Sequence, residues 1–309
     1  MSPVARANRT GFAVISQSHF YSKKFTVRAP TLSPCSRLSQ NARDSRNAWL
    51  WMAAPRGGEL DLRAEVRREL DQSFWLLLGS ARRSVARVVL LHGWLQTHSC
   101  WLHTAAALQR KYHSQVLLFD FFGHGASICQ TKELICVDGL VMQLEALLEK
   151  IQWDGGQRLV LAGCSLGAAI AMNYALRNSN RVARITLVAP PGLPEVWFMP
   201  ANVGKVVSSA LDTMGLAWPY LLRIPMETPT YGLGCDSIRA LASQIPISVI
   251  LAGLDIVHSP HIEFWKGVLP RSEIRVVSWA SHWWVCSRLF SIGLHDDEKY
   301  WHIEPVSRL

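Results

Sequence analysis

A chain of 309 residues, 49% of them hydrophobic, has the apolar material for one large core, so a single domain with insertions is expected. Its net charge of +9 sits at one end: residues 1–58 carry nine Lys/Arg and one acid, Asp44, whereas the rest carries 23 basic and 22 acidic side chains. A near-neutral body removes the electrostatic ground for nucleic-acid binding, and no apolar run approaches the ~18–20 residues of a membrane span.

The first 43 residues contain no Asp or Glu, seven Lys/Arg, and many Ser, Thr and Pro, without the apolar centre of a secretory signal. This is the composition of a mitochondrial or plastid transit peptide. A disordered basic tail has the same composition, and translation from Met52 would omit the segment altogether. On each reading residues 1–55 stand apart from a domain over 56–309. The last three residues, Ser307-Arg308-Leu309, resemble the Ser-Lys-Leu peroxisomal signal with its charge kept. The long acid-free stretch weighs toward mitochondrion or plastid, and a start at Met52 would move the balance to the peroxisome. Two reporter fusions separate these addresses, one carrying residues 1–58 in front and one ending in the last ten residues. A cytosolic signal from both rejects both.

Along the body, Leu60, Leu62, Ala64 and Val66 alternate with charged residues, the pattern of a half-buried strand, with Phe74–Leu78 as its hairpin partner. A short helix over 60–71 is the alternative. Val88–Leu91 is a buried strand ending in His92-Gly93-Trp94. A helix over 99–111 and a strand over Val116–Asp120 follow, leading into Phe121-Phe-Gly-His-Gly-Ala-Ser127. Leu140–Ile151 has helical periodicity. Leu159–Ala162 reads as a buried strand, then Gly163-Cys164-Ser165-Leu166-Gly167, then a small-residue helix to about Arg177. Further strands are expected at Arg184–Ala189, Ile247–Leu251 and Ile274–Ser278. Strands alternating with helices predict an α/β fold, a mostly parallel central sheet covered by helices on both faces.

Strand, G-x-S-x-G, helix is the context that makes this motif a nucleophile elbow. A tight turn holds Ser165 in a strained conformation, and side chains at positions 163 and 167 would collide with the neighbouring helix and strand. Seven cysteines, Cys35, Cys100, Cys129, Cys136, Cys164, Cys235 and Cys286, are odd in number and scattered, with no C-x-x-C pair and no zinc spacing. A reducing compartment without structural disulfides is expected, with Cys164 a packing residue. Neither metal nor cofactor is called for.

The landmarks His92-Gly93-Trp94, Asp120 to Ser127, Gly163 to Gly167, Gly253-Leu254-Asp255 and Ser281-His282 resemble, in order, those of the α/β-hydrolase superfamily. The similarity covers about residues 86–290 and points to the single-domain branch of carboxylesterases, lipases and carbon–carbon bond hydrolases. It implies the α/β-hydrolase fold with a short helical lid over about 192–245. It also implies a chain order of nucleophile Ser165, acid Asp255 and base His282. A serine hydroxyl is a poor nucleophile until an oriented imidazole takes its proton, which is why the three belong together. His282 is expected in a turn before the last helix. Asp212 and Asp236 are the rival acids, read as a solvated helix face and a loop residue; His124 and His258 are rival histidines. His92 is expected to brace the oxyanion loop, and the backbone N–H groups of Trp94 and Leu166 to form the oxyanion hole. Trp197, Phe198, Trp218 and Trp283 are candidate pocket residues, with Trp279 and Trp284 nearby. Their apolar character favours a small hydrophobic ester, thioester or lipid over a charged substrate. A carbon–carbon hydrolase or acyltransferase would use the same triad, and a non-enzymatic binding or signalling protein is the reading from another class. Epoxide hydrolases and dehalogenases put Asp where Ser165 stands.

Overall fold

The computed structural model describes residues 61–80, 84–191, 233–255 and 262–287. The extension 1–55, most of the lid stretch (192–232) and the segment after 287 lie outside these residues.

Among the described residues, seven strands form one sheet: β1 (Trp75–Leu78), β2 (Arg87–Leu91), β3 (Gln115–Phe119), β4 (Leu159–Cys164), β5 (Val182–Val188), β6 (Ile247–Ala252) and β7 (Glu273–Val277). Their order is β1-β3-β2-β4-β5-β6-β7, with β1 antiparallel to β3 and every other pair parallel. The interior strands are buried on both faces, which explains their unbroken apolar runs. Successive residues alternate between two cores. Val89, Leu91, Leu117, Phe119 and Leu161 face one, and Val88, Leu90, Val116, Leu118 and Cys164 face the other.

The first core is covered by α1 (Leu62–Leu70), α3 (Val137–Lys150), α4 (Leu166–Arg177), α5 (Cys235–Gln244) and α6 (Ile262–Val268). The second is covered by α2 (Leu102–Tyr112) and α7 (His282–Ser287). No helix among the described residues is long and apolar enough to cross a membrane. Helix α5 occupies the end of the expected lid stretch, and its Ile238 and Leu241 are buried in the first core.

The strand expected at 60–66 is instead helix α1, the alternative reading, and the hairpin with Phe74–Leu78 does not form. Leu62, Val66 and Leu70 match period two but also stand four apart, on one helical face, and burial of Val66 and Leu70 settles the choice. β1 pairs with β3 instead, Trp75 opposite Phe119. Glu69 locks α1 to the chain after β3. Its carboxylate accepts from the N–H groups of Gln130 and Thr131 and from the Thr131 hydroxyl, at 3.1, 2.9 and 2.8 Å. Burial alone would raise the Glu69 pKa, but these donors and Arg68 outweigh it and leave the carboxyl below its ordinary value.

From β2 the chain crosses to β3 on one side, and from β4 to β5 on the other. The crevice at the carboxyl ends of β2 and β4 is therefore the switch point where sheets of this kind bind ligands. Leu91 lies opposite Gly163 in that pair, so the His92-Gly93-Trp94 turn and the serine turn leave the sheet side by side.

Candidate active site

Ser165 follows the last residue of β4 and precedes α4, with φ 51° and ψ −115°. A side chain at this φ is strained, typically by about 1–3 kcal/mol, so the surroundings must impose it. They do so through hydrogen bonds on both sides: the Ser165 N–H donates to Val188 O at 2.9 Å, and Ser165 O accepts from Ala168 N at 2.9 Å. Close approach explains the flanking glycines. A Cβ on Gly163 would lie 2.2 Å from Gly167 O, and one on Gly167 would lie 2.2 Å from Leu91 O. Both collisions are with backbone, which no rotamer change can relieve. The serine itself is only 6% exposed.

The turn after β2 closes on this serine. A Cβ on Gly93 would meet Ser165 Cβ at 3.3 Å and Gln96 Oε1 at 2.6 Å. The Gly93 N–H is taken by Gln96 Oε1 at 2.9 Å, and Gln96 N–H returns to Gly93 O at 3.2 Å. Trp94, next in the turn, is half-buried against the first core. The Leu166 N–H opens α4 and so has no acceptor within its own helix.

His92 anchors the turn from beneath with both ring nitrogens. Its Nδ1–H donates to Gly93 O at 2.7 Å, and Nε2 accepts from Phe121 N–H at 3.0 Å. Below them, buried Asp120 accepts from His98 through its backbone N–H (2.7 Å) and its Nδ1 (2.8 Å), and from Ala126 N–H at 3.0 Å. Gln143, fully buried on α3, donates to Asp120 O at 3.0 Å and accepts from Phe122 N–H at 2.9 Å. Sequence reasoning passed over Gln96 and Gln143. A signal existed for the second, a polar residue on the buried face between Leu140 and Leu144; none existed for the first.

His92 and the adjacent His124, whose ring centroids lie 5.2 Å apart, are both held neutral. Burial first, then the neighbouring His124 ring, push His92 down to about 3; burial pushes His124 down to about 4. In the unfolded chain a histidine takes its proton near pH 6.5. The unfolded state therefore binds more protons below that pH. Stability is whole above about pH 6.5 and declines on acidification by up to about 1.4 kcal/mol per pH unit for each histidine, until its folded pKa is reached. The urea midpoint is expected to fall clearly between about pH 7 and pH 5, and to fall less in His124→Gln. Equal midpoints for the wild type at both pH values contradict this.

The strand ends of β6 and β7 supply the remaining groups. Asp255 lies three residues past β6 and His282 opens α7, five past β7. Gly253 N–H to Val277 O and Leu254 N–H to Ala280 O, both 2.9 Å, hold the two loops together. The His282 Nδ1–H donates to Asp255 Oδ2 at 2.7 Å, with both side chains 4% exposed. His282 is the first residue of a helix, not part of a turn before one. With Nδ1 carrying the proton, Nε2 is the ring nitrogen left with a lone pair. The Trp283 ring stands edge-on to that of His282 at 5.6 Å.

One correction concerns Cys164. It is buried in the second core, as a packing residue should be, but it is also bonded to Cys286. The expectation of no structural disulfide is overturned. Because Cys164 adjoins Ser165 and Cys286 lies four residues after His282, the bond brings the serine turn and the histidine helix together, at a Cα–Cα separation of 5.7 Å. Asp236 lies in the first turn of α5 rather than in a loop, with a side chain 98% exposed and paired to Arg239. Asp212, His258, Trp197, Phe198 and Trp218 lie outside the described residues.

A seven-stranded sheet with this order, a serine turn after β4, and an acid and a histidine after β6 and β7 have the layout of the α/β-hydrolase fold. The chain has the alpha/beta hydrolase fold, and the model of that fold family matches its residues 86–212. It is 26% identical over 119 residues to a pimeloyl-[acyl-carrier protein] methyl ester esterase of Vibrio atlanticus, covering 38% of this chain and 40% of that protein. The chain thus spans about two fifths of the length of that relative. Among solved structures it is similar to a thermophilic esterase from Thermogutta terrifontis, with TM-score 0.57, 17% identity, and coverage of 73% of this chain and 92% of that one. It is also similar to the enol-lactonase from Burkholderia xenovorans, with TM-score 0.53, 20% identity, and coverage of 74% and 95%.

Proposed function

We propose that this protein is a serine hydrolase that cleaves a carboxylic ester of a hydrophobic acyl or aromatic substrate through an acyl-enzyme. The observation that carries this reading is the 2.7 Å bond from His282 Nδ1–H to Asp255, together with a strained turn at Ser165 whose neighbour Cys164 is bonded to Cys286 on the helix that His282 opens. Asp255 fixes the tautomer and orientation of the ring. His282 Nε2 takes the Ser165 proton as Oγ bonds to the ester carbonyl carbon. The oxyanion that forms is met by the N–H groups of Trp94 and Leu166, donors already fixed by the two turns. Collapse expels the alkoxide, which leaves with the proton held by His282. Water then repeats the sequence on the acyl-enzyme and releases the acid.

The hydrophobic substrate is supported by what surrounds these groups. Leu254, beside Asp255, and Trp279 and Trp283, on either side of His282 in sequence, remain 59%, 58% and 48% exposed. Large apolar side chains are seldom left open beside buried ionisable groups unless something apolar is to meet them. The ester-cleaving relative named above is consistent with this choice of bond.

A fluorophosphonate probe tests the reading directly. Wild-type protein is expected to be labelled at Ser165 and Ser165→Ala to remain unlabelled. A folded wild type that neither takes the probe nor hydrolyses any ester would leave the non-enzymatic binding protein as the reading.

A further inference from the structure

The disulfide between Cys164 and Cys286 links the two halves of the proposed site through their own backbones. Cys164 ends β4 and is the direct neighbour of Ser165. Cys286 stands one turn after His282 on α7, so the two side chains share a face of that helix. Helix α7 has six residues, too few to be stable by itself. Among the described residues it is held by Val285 and Cys286 in the second core, by Trp284 packed against that core and by the His282–Asp255 bond, with the crosslink at its far end.

We propose that this disulfide is a positioning crosslink that keeps His282 in register with Ser165, so that turnover depends on the redox state of Cys164 and Cys286. Its kinetic arm rests on the serine-hydrolase reading above. The reductant is a small dithiol. One of its thiolates attacks one sulfur of the bond and expels the other as a thiolate, which takes a proton. The second thiol of the reductant then displaces the mixed disulfide. Both cysteines become thiols and the reductant becomes a cyclic disulfide. Both sulfurs belong to residues at most 1% exposed, so exchange requires α7 to lift from the sheet and is slow in the closed enzyme.

Reduction has a second local effect. Cys164 Sγ lies 3.7 Å from Gln96 Oε1, the oxygen that holds the Gly93 N–H. In the disulfide this sulfur carries no proton. As a thiol it becomes a second donor to that oxygen, in competition at the turn that carries Trp94. Redox state is thereby felt on both sides of the serine.

The experiment uses the full chain purified without reductant. Alkylation followed by peptide mapping is expected to modify Cys164 and Cys286 only after dithiothreitol. On a p-nitrophenyl ester, full reduction is expected to lower kcat on the order of 10²-fold, the scale of a displacement of about 1 Å, with KM nearly unchanged. Assays are run at a temperature where circular dichroism shows the reduced form folded. The Cys164→Ala/Cys286→Ala double variant is expected to start at the reduced kcat and ignore dithiothreitol. Alkylation of both cysteines without reduction overturns the proposal, as does an unchanged kcat in reduced, folded enzyme. Unfolding of the reduced chain at every temperature also overturns it, because the bond would then hold the fold and not the histidine. If no ester is cleaved and no probe binds, the hydrolase reading alone has failed. The peptide map and the downfield proton resonance of His282 Nδ1–H, sharp when oxidised and broadened when reduced, still decide the crosslink.

Discussion

Ser165→Ala is expected to lower kcat for ester hydrolysis by about 10⁴–10⁶, the usual cost of removing the nucleophile of a triad. Alanine keeps the Cβ and accepts the same positive φ as poorly as serine does, so the strain of the turn is unchanged. What is lost is one hydroxyl on a residue already 6% exposed, and the urea midpoint should move by no more than about 1–2 kcal/mol of stability. This separation of effects is the diagnostic. Loss of activity together with unfolding would say only that the turn is fragile. Full turnover of a p-nitrophenyl ester by purified Ser165→Ala would reject Ser165 as the nucleophile.

Asp255→Asn tests the other half of the site, with an expected loss on the order of 10⁴. Asparagine is nearly isosteric, so the 2.7 Å contact with His282 survives. Its amide, however, can present N–H where the carboxylate presented a lone pair. The imidazole then moves its own proton to Nε2, where it can no longer accept from Ser165. The carboxylate charge that stabilises the imidazolium is lost in the same change. Asp236→Asn should leave kcat untouched, because that side chain is 98% exposed on α5 and already paired with Arg239. The reverse result, an active Asp255→Asn and a dead Asp236→Asn, would move the acid to α5.

The parallel strands were legible because they are buried on both faces, which forces continuous apolar runs such as Val88–Leu91 and Leu159–Ala162. The serine turn was legible because both of its glycines answer to steric demands that are purely local. At residues 60–66 the sequence was ambiguous, since apolar residues four apart satisfy a strand and a helix equally. Only the presence of α3 to pack against made the helical face the buried one. The Glu69 clasp was invisible for a similar reason, because its partners are backbone groups of Gln130 and Thr131 brought close by tertiary folding, whereas Gln96 reaches back only three residues, to Gly93, in a turn that no apolar pattern marks. The pairing of Cys164 with Cys286 lay further still from reach. A disulfide needs Cα atoms within about 7 Å, and 122 residues of chain separate these two.

That separation makes the stretch from Cys164 to Cys286 a closed covalent ring, passing through α4, β5, α5, β6, α6 and β7. A protease that cuts one peptide bond inside the ring opens it without releasing a fragment. The piece ending near the cut keeps Ser165, the other keeps His282, and the sulfur bridge still joins them beside the crevice. Nicked and intact molecules would travel together on a gel run without reductant and part company once thiol is added. Limited digestion could then yield a two-chain enzyme whose halves meet at the site of chemistry.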